Sequence, residues 1–118
     1  MDNQRIPISS PFDSVDPAPP SKISETEELR GILCNENERM FQRMRALFAL
    51  RNKGGNDAVD ALCAAFDSDS ALLKHEIAYV LGQMQNSHAV PMLIERLSDE
   101  VEDLMVRHEA AEALGAIG

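Results

Sequence analysis

Residues 73–82 read LKHEIAYVLG and residues 106–115 read VRHEAAEALG, so one helix-like pattern recurs at an interval of 33 residues. Residues 43–50, RMRALFAL, look like an earlier, diverged copy with Met44-Arg45 where the other two copies have His-Glu. Helix pairs that recur every few tens of residues are typical of α-solenoids, in which each repeat packs only on its neighbours. The repeat therefore predicts an all-α solenoid of helical hairpins, with about three helix pairs in this chain.

Turn-forming residues divide the chain into six predicted helices. Gly54-Gly55 and the Asp/Ser run at residues 67–70 are typical breaks between helices. The predicted helices span residues 25–35, 38–52, 57–66, 71–84, 88–98 and 104–117. Residues 1–24 contain five of the six prolines and show no helical period, so we expect a disordered Pro/Ser-rich tail before a repeat domain over residues 25–118.

Composition narrows the classes of function. The chain has no Trp and one Tyr, and a core of Leu, Ala, Val, Ile and Met favours closely stacked helices. Its formal net charge of −9 argues against nucleic acid as a partner, because phosphate binding needs a basic surface. Cys34 and Cys63 form no Cys-x-x-Cys pair, which favours two buried thiols in a reducing compartment. Without a signal peptide or a run of about 18 apolar residues, we expect a soluble, cytoplasmic protein with no membrane partner.

The repeated His-Glu pairs are the candidate chemical site. On a helical wheel, His75 and His108 both point away from the apolar stripe of their helix, and Glu76 lies at the edge of that stripe. Equivalent helices in adjacent repeats pack about 8–10 Å apart, so the two imidazoles can converge on one ion. Imidazole and carboxylate ligands with open positions are used by non-haem Fe(II) sites. Spacing alone leaves metal binding and a coincidental repeat of a surface His-Glu equally open.

Two further patterns allow more than one interpretation. Ala78 and Gly82 lie on the His75 side of their helix, where small residues either leave room beside ligands or permit close helix packing. Arg39, Arg43, Arg45, Arg51 and Lys53 form a basic run. It is interpreted as a solvated helix face, with a docking surface for an acidic partner as the alternative. His88 has no following Glu and is interpreted as a surface residue.

Residues 66–85 and 105–118, with their paired H-E-x-A-x-x-L-G blocks, resemble the deoxyhypusine hydroxylase family. Residues 45–51 are similar to the first repeat of that family, and the resemblance covers about residues 25–118. It implies repeats of the HEAT type, arranged in two similar halves that each supply two His-Glu pairs to a di-iron centre. It also implies an iron- and O₂-dependent monooxygenase that hydroxylates the deoxyhypusine side chain on a translation factor, which completes hypusine.

Carried over residue by residue, the resemblance implies that His75, Glu76, His108 and Glu109 are iron ligands or lie directly behind them, with no other catalytic residue. The acidic surface would then suit a cationic, polyamine-like substrate side chain. Two further His-Glu pairs of the family have no counterpart in the chain. We therefore expect half of the metal site here, completed by a C-terminal half or by self-association. A non-catalytic HEAT-repeat scaffold for partner proteins is the alternative function, and a lyase or chaperone subunit of the phycobilin-handling type is a weaker one.

Overall fold

The computed structural model describes residues 18–118. Their six α-helices are α1 (Thr26–Leu33), α2 (Met40–Lys53), α3 (Gly55–Ala64), α4 (Ala71–Met84), α5 (Val90–Ser98) and α6 (Leu104–Ile117). Short 3₁₀ turns at Ala65–Asp67 and Ser87–Ala89 precede α4 and α5. The prediction of an all-α solenoid with about three helix pairs is confirmed, and the predicted helices match the observed ones to within a few residues.

Local chemistry explains where the helices begin and end. Ser70 Oγ accepts a hydrogen bond from the Leu73 backbone N–H at the start of α4, and Asp103 Oδ1 accepts one from Met105 at the start of α6. These caps satisfy N–H groups that have no partner within the helix. Between α2 and α3, Gly54 and Gly55 adopt φ values of 71° and 87°. Glycine reaches that region at little cost, so the chain can reverse direction there without a longer loop.

Equivalent helices lie side by side along the solenoid. Helix α4 packs against both α2 and α6, and α5 packs against α6. Later residues of α4 contact later residues of α6: His75 lies beside Glu109, Gly82 beside Ala113 and Gln85 beside Ala116. Helices α4 and α6 are therefore parallel, as the second helices of consecutive hairpins should be. Their apolar faces form one continuous core of Leu, Ile, Val, Ala and Met side chains.

Gly82 sets the spacing between α4 and α6. A Cβ atom placed on Gly82 would lie 3.0 Å from the Ala113 Cα atom and 3.2 Å from the Ala113 Cβ atom. At this position the close-packing interpretation of the small residues is therefore correct. The equivalent Gly115 has nothing within 4 Å of its Cβ position, because no helix of residues 18–118 packs on the far side of α6.

In each repeat, the residue directly before the Met-Arg or His-Glu pair is basic, and its side chain bonds to a neighbouring segment of the chain. Arg43 Nε donates a hydrogen bond to the Leu33 carbonyl at 2.9 Å, and Arg107 Nε donates to the Leu97 carbonyl at 3.1 Å. Lys74 holds the same position in α4 and pairs with Glu102 at 2.6 Å. The two arginine bonds satisfy carbonyls at the ends of α1 and α5, which have no partner within their own helix.

The interpretation of the basic run as a solvated face is wrong for Arg43. Its side chain is 3% exposed and is paired with Glu36 at 2.7 Å, with Ser68 Oγ 3.4 Å away. Sequence reasoning missed this role although a signal was present. Arg43, Lys74 and Arg107 each directly precede the first residue of the Met-Arg or His-Glu pair in their repeat.

Residues 18–24 contact α2, whereas residues 1–17 of the predicted tail lie outside the described part of the chain. Ala18 is buried, and the Ser21 backbone N–H donates to the Arg45 carbonyl at 3.1 Å. Arg45 Nε in turn donates to the Pro19 carbonyl. The domain boundary after residue 24 stays a prediction. None of the described helices has the length and apolar character needed to cross a membrane.

Gly82→Ala is expected to lower the free energy of unfolding by about 1–3 kcal/mol, because the added methyl group meets the backbone of α6. At an unconstrained helical position the same change stabilises by about 1 kcal/mol. Gly115→Ala supplies that matched control one repeat later and is expected to be neutral or stabilising. Urea unfolding followed by circular dichroism measures both variants. Stabilisation of the chain by Gly82→Ala would contradict the close contact.

The carboxylate of Glu102 should stabilise the fold at neutral pH and lose this contribution in acid. Burial acts to raise the pKa of its carboxyl, but hydrogen bonds from Lys74, the Asp103 backbone N–H and Arg96, with the charge of Lys74, outweigh burial and hold that pKa below its ordinary value. A group whose pKa is lowered by folding stabilises above its unfolded pKa, and this contribution is lost as the pH falls through the folded pKa. The stability difference between the native chain and Glu102→Gln should therefore be constant at neutral pH and shrink as the pH falls below the ordinary glutamate pKa of about 4.3. Glu100→Gln is the control, because Glu100 is exposed and its replacement should change stability little at any pH. A stability difference between the native chain and Glu102→Gln that stays the same at all pH values would refute the prediction.

Candidate metal site

His75 lies in the second turn of α4, on the side that faces α6. Its side chain is 14% exposed and that of Glu76 is 4% exposed, so both are largely covered. The sequence pattern has His75 pointing away from the apolar stripe of α4, but its side chain is largely covered because it lies at the seam with α6. Glu76, predicted at the edge of the stripe, is buried between helices.

The imidazole of His75 lies between two carboxylates. Its Nε2 atom is 3.1 Å from Glu109 Oε1 on α6, and its Nδ1 atom is 3.8 Å from Glu76 Oε2 on the same helix. The two carboxylates thus face different nitrogens of the ring, and one ion can bind only one of those nitrogens. Glu109 lies within hydrogen-bond distance of His75 Nε2, whereas Glu76 lies on the other side of the ring, farther from Nδ1 than a hydrogen bond.

The distance between His75 Nε2 and Glu109 Oε1 is compatible with two ligands of one ion and also with an ordinary hydrogen bond. Two ligand atoms each about 2.1 Å from an ion and at right angles to one another lie about 3.0 Å apart. The observed Nε2–Oε1 distance of 3.1 Å is close to that value. One imidazole and one carboxylate are also ligand types that suit non-haem iron. The pair is therefore a candidate for two positions of a metal site.

His108 does not join this cluster. Its side chain is 63% exposed, and its Nε2 atom lies 3.1 Å from Glu112 Oε2 one turn further along α6. The reason is positional: α6 covers His75, but no helix of residues 18–118 covers the corresponding face of α6. The four predicted ligands are thus divided into His75, Glu76 and Glu109 together, with His108 apart. Across residues 18–118, no three His, Cys, Asp or Glu side chains converge as a ready-made metal site, and the ligand set stays a prediction.

A groove adjoins the His75–Glu109 pair along the seam between α4 and α6. Its volume is about 250 Å³. The groove is lined by Tyr79, Gly82, Gln83, Gln85, Glu109, Glu112, Ala113 and Ala116. Tyr79 and Glu112 hold equivalent repeat positions, four residues after His75 and His108. The groove was not predicted from the sequence, although the shared repeat position of Tyr79 and Glu112 was a signal for it.

The remaining candidate residues have structural roles. His88 is exposed and lies 2.8 Å from Asp60, which confirms its interpretation as a surface residue. Cys63 is buried, and burial raises the pKa of its thiol to about 12. Cys34 is half-buried rather than buried, and desolvation raises the pKa of its thiol as well. Both thiols are therefore protonated at neutral pH and are poor nucleophiles or metal ligands.

Known proteins resemble this chain over nearly all of its length. Deoxyhypusine hydroxylase of Homo sapiens is 50% identical over 94% of this chain and 37% of the relative. Deoxyhypusine hydroxylase-B of Oryza sativa subsp. japonica is 57% identical over 92% of this chain and 36% of the relative. A solved structure of human deoxyhypusine hydroxylase in complex with glycerol matches 95% of this chain and 39% of the human chain, with a TM-score of 0.85 and 50% identity. The present chain thus spans little more than a third of the length of the relatives that it matches.

Sequence profiles of repeat families give the same assignment of the fold. The profile for HEAT repeats matches residues 59–118, and that for the PBS lyase HEAT-like repeat matches residues 42–68. The matched residues include α4 and α6 with both His-Glu pairs. The chain therefore belongs to the HEAT-repeat family, and the relatives that it resembles are deoxyhypusine hydroxylases.

Proposed function

We propose that this chain contributes His75, Glu76, His108 and Glu109 to the iron site of a deoxyhypusine hydroxylase. The reaction would be the O₂-dependent hydroxylation of a deoxyhypusine side chain on a translation factor, in the cytoplasm. The observation that carries the proposal is the His75–Glu109 pair. The His of one His-Glu pair lies 3.1 Å from the Glu of the pair in the next repeat. Identity of 50% or more to deoxyhypusine hydroxylases over more than nine-tenths of the chain supports it.

Each residue of the proposed site has a distinct task. His75 Nε2 and Glu109 would hold the iron, and Glu76, whose Oε2 atom lies 3.8 Å from His75 Nδ1, would move closer to orient the ring. His108 would join after breaking its contact with Glu112, an exposed i,i+4 pair that is worth only about 0.3–0.5 kcal/mol. When bound, iron supplies the one-electron and O₂ chemistry that protein side chains lack. The resemblance implies two iron ions and ligands beyond these four, from a second half or a second copy.

The charge of the chain suits the proposed substrate. The formal net charge is −9, and Glu109 and Glu112 face the groove beside His75. A cationic, amine-bearing side chain would be attracted to this surface at long range. The substrate and the partner protein are proposed from the resemblance to the family. The acidic charge of this chain supports them, because it complements a cationic side chain.

A HEAT-repeat scaffold without chemistry is the second candidate. It is favoured by the outward orientation of His108 and by the exposed apolar side chains at the α5–α6 end of the described residues. Leu104 is 74% exposed, and Ile94 and Met105 are about half exposed. Apolar side chains exposed together are typical of protein–protein contact surfaces. The scaffold would give a stable, metal-free protein, which separates it from the first candidate by experiment.

Iron titration of the chain without oxygen, with iron content and native mass measured afterwards, tests the assignment. His75→Ala and His108→Ala are each expected to abolish stoichiometric Fe(II) binding while circular dichroism stays unchanged. Glu109→Gln should do the same, whereas Glu76→Gln should weaken binding by about 10–100-fold, as expected for a residue that orients a ligand.

His88→Ala is the matched control, because His88 is exposed and is paired with Asp60 instead. Wild-type iron stoichiometry in both His75→Ala and His108→Ala would refute the ligand assignment. A native chain that self-associates and still stays metal-free with excess Fe(II) would favour the scaffold, because a second copy would supply the ligands that one copy lacks.

A further inference from the structure

Arg51 occupies a repeat position that is glycine in both later hairpins. It lies eight residues after Arg43, just as Gly82 lies eight residues after Lys74. Gly82 lets α4 approach α6 so closely that a Cβ atom would meet Ala113. In α2 the same position carries a long side chain, and the seam between α2 and α4 holds a groove of about 290 Å³ there. This α2–α4 groove is lined by Arg51, Asn52, Gln83 and Met84.

The guanidinium of Arg51 is held in place by three neighbours. Its Cζ atom lies 4.9 Å from the centroid of the Phe48 ring. Nε donates a hydrogen bond to Asn52 Oδ1 at 3.2 Å, and Nη1 donates to Gln83 Oε1 at 3.4 Å. None of these partners is charged, and no carboxylate of residues 18–118 forms an ion pair with Arg51. A planar cation that is already oriented loses little conformational freedom when a carboxylate binds to it.

The α2–α4 groove presents hydrogen-bond donors and has no acidic side chain in its lining. Because the amide oxygens of Asn52 and Gln83 accept from Arg51, the NH₂ groups are the parts of these amides left to bind a ligand. Arg51 itself has no acceptor atom. Sites for phosphate groups usually contain a cluster of arginines, whereas this lining has one arginine. One positive charge with neutral donors matches a single carboxylate, whose two oxygens fit one edge of a guanidinium.

We infer that the α2–α4 groove binds a carboxylate group, with Arg51 as the charged partner and the amides of Asn52 and Gln83 as neutral donors. The carboxylate belongs either to an acidic side chain of a polypeptide or to a free carboxylic acid, since both present the same two oxygens. The site lies at the seam of α4 with α2, whereas the His75–Glu109 pair lies at the seam with α6. The inference therefore does not depend on the proposed function.

Side-chain NMR signals test the inference directly, because the Arg51 Nε–H group and the amide groups of Asn52 and Gln83 lie at the site. The isotope-labelled native chain is titrated at constant ionic strength with acetate and with a glutamate peptide, acetyl-Gly-Glu-Gly-amide. The uncharged control is the glutamine peptide, acetyl-Gly-Gln-Gly-amide. Saturable shifts of these signals in the millimolar range are expected with the carboxylates, and none with the glutamine peptide.

The two carboxylates distinguish the two sources of the ligand. Tighter binding of the glutamate peptide than of acetate would assign the site to an acidic polypeptide, and equal affinity would assign it to free carboxylic acids. Either result supports a carboxylate site. Absence of saturable shifts with both carboxylates, or equal shifts with the glutamine peptide, would overturn the inference.

Matched variants separate the α2–α4 groove from general charge attraction. Arg51→Gln should weaken binding of the carboxylates at least about tenfold, the equivalent of about 1.4 kcal/mol, measured on the amide signals of Asn52 and Gln83. Lys53→Gln is the control, because it removes the same charge from an exposed side chain of α2 outside the groove lining. Its carboxylate affinity should equal that of the native chain. Equal weakening by Arg51→Gln and Lys53→Gln would overturn the inference.

Gln83→Glu blocks the site from within while Arg51 stays in place. The introduced carboxylate should pair with Arg51, so binding of acetate and of the glutamate peptide should be lost while circular dichroism stays unchanged. Because this variant retains Arg51 and its contact with Phe48, it also separates loss of the site from misfolding of Arg51→Gln. Carboxylate binding by Gln83→Glu with the affinity of the native chain would overturn the inference.

Discussion

The close approach of α4 and α6 at Gly82 is the constraint on which the rest of the site depends. A Cβ atom at Gly82 would lie 3.0 Å from the Ala113 Cα atom, so the two helices are spaced for glycine at this point. The same spacing brings His75 Nε2 to within 3.1 Å of Glu109 and leaves a groove along the seam. A larger residue at position 82 would separate the helices, and Glu109 on α6 would no longer be held beside His75 on α4.

Charged side chains inside the solenoid act as connections between hairpins. Glu102 has a side chain that is 2% exposed, yet it contacts Lys74 from α4 at 2.6 Å and Arg96 from α5 at 3.0 Å. Arg43 is likewise buried and joined to Glu36. A buried charge is costly unless it is paired, so these residues fix the relative positions of helices that apolar contacts alone would allow to slide. The candidate site is built on this framework, since Lys74 directly precedes His75.

The two His-Glu pairs are equal in sequence but unequal in structure. His75 is covered by α6 and lies between two carboxylates, whereas His108 is exposed on a helix with no described neighbour on that side. The asymmetry follows from the one-dimensional order of a solenoid, in which each helix is covered only by the next one. In the proposed hydroxylase, a further surface placed over α6 would give His108 and Glu112 the kind of cover that α6 gives to His75 and Tyr79.

The sequence by itself determined the helices, their pairing into repeats and the family. Caps at Ser70 and Asp103, breaks at Gly54-Gly55 and an apolar stripe at helical spacing are local signals, and each acts within a few residues. The His-Glu repeat also identified the candidate ligands. Only the tertiary structure decided that Gly82 is a packing residue and that Arg43 is buried. It also decided that Glu109 faces Nε2 of His75 while Glu76 faces Nδ1. The groove shared by Tyr79 and Glu112 is a third result of the tertiary structure. The contacts of Gly82 with Ala113, of His75 with Glu109 and across the groove join residues about 30 positions apart in the chain. Their distances are set by helix packing and are not encoded in any local pattern.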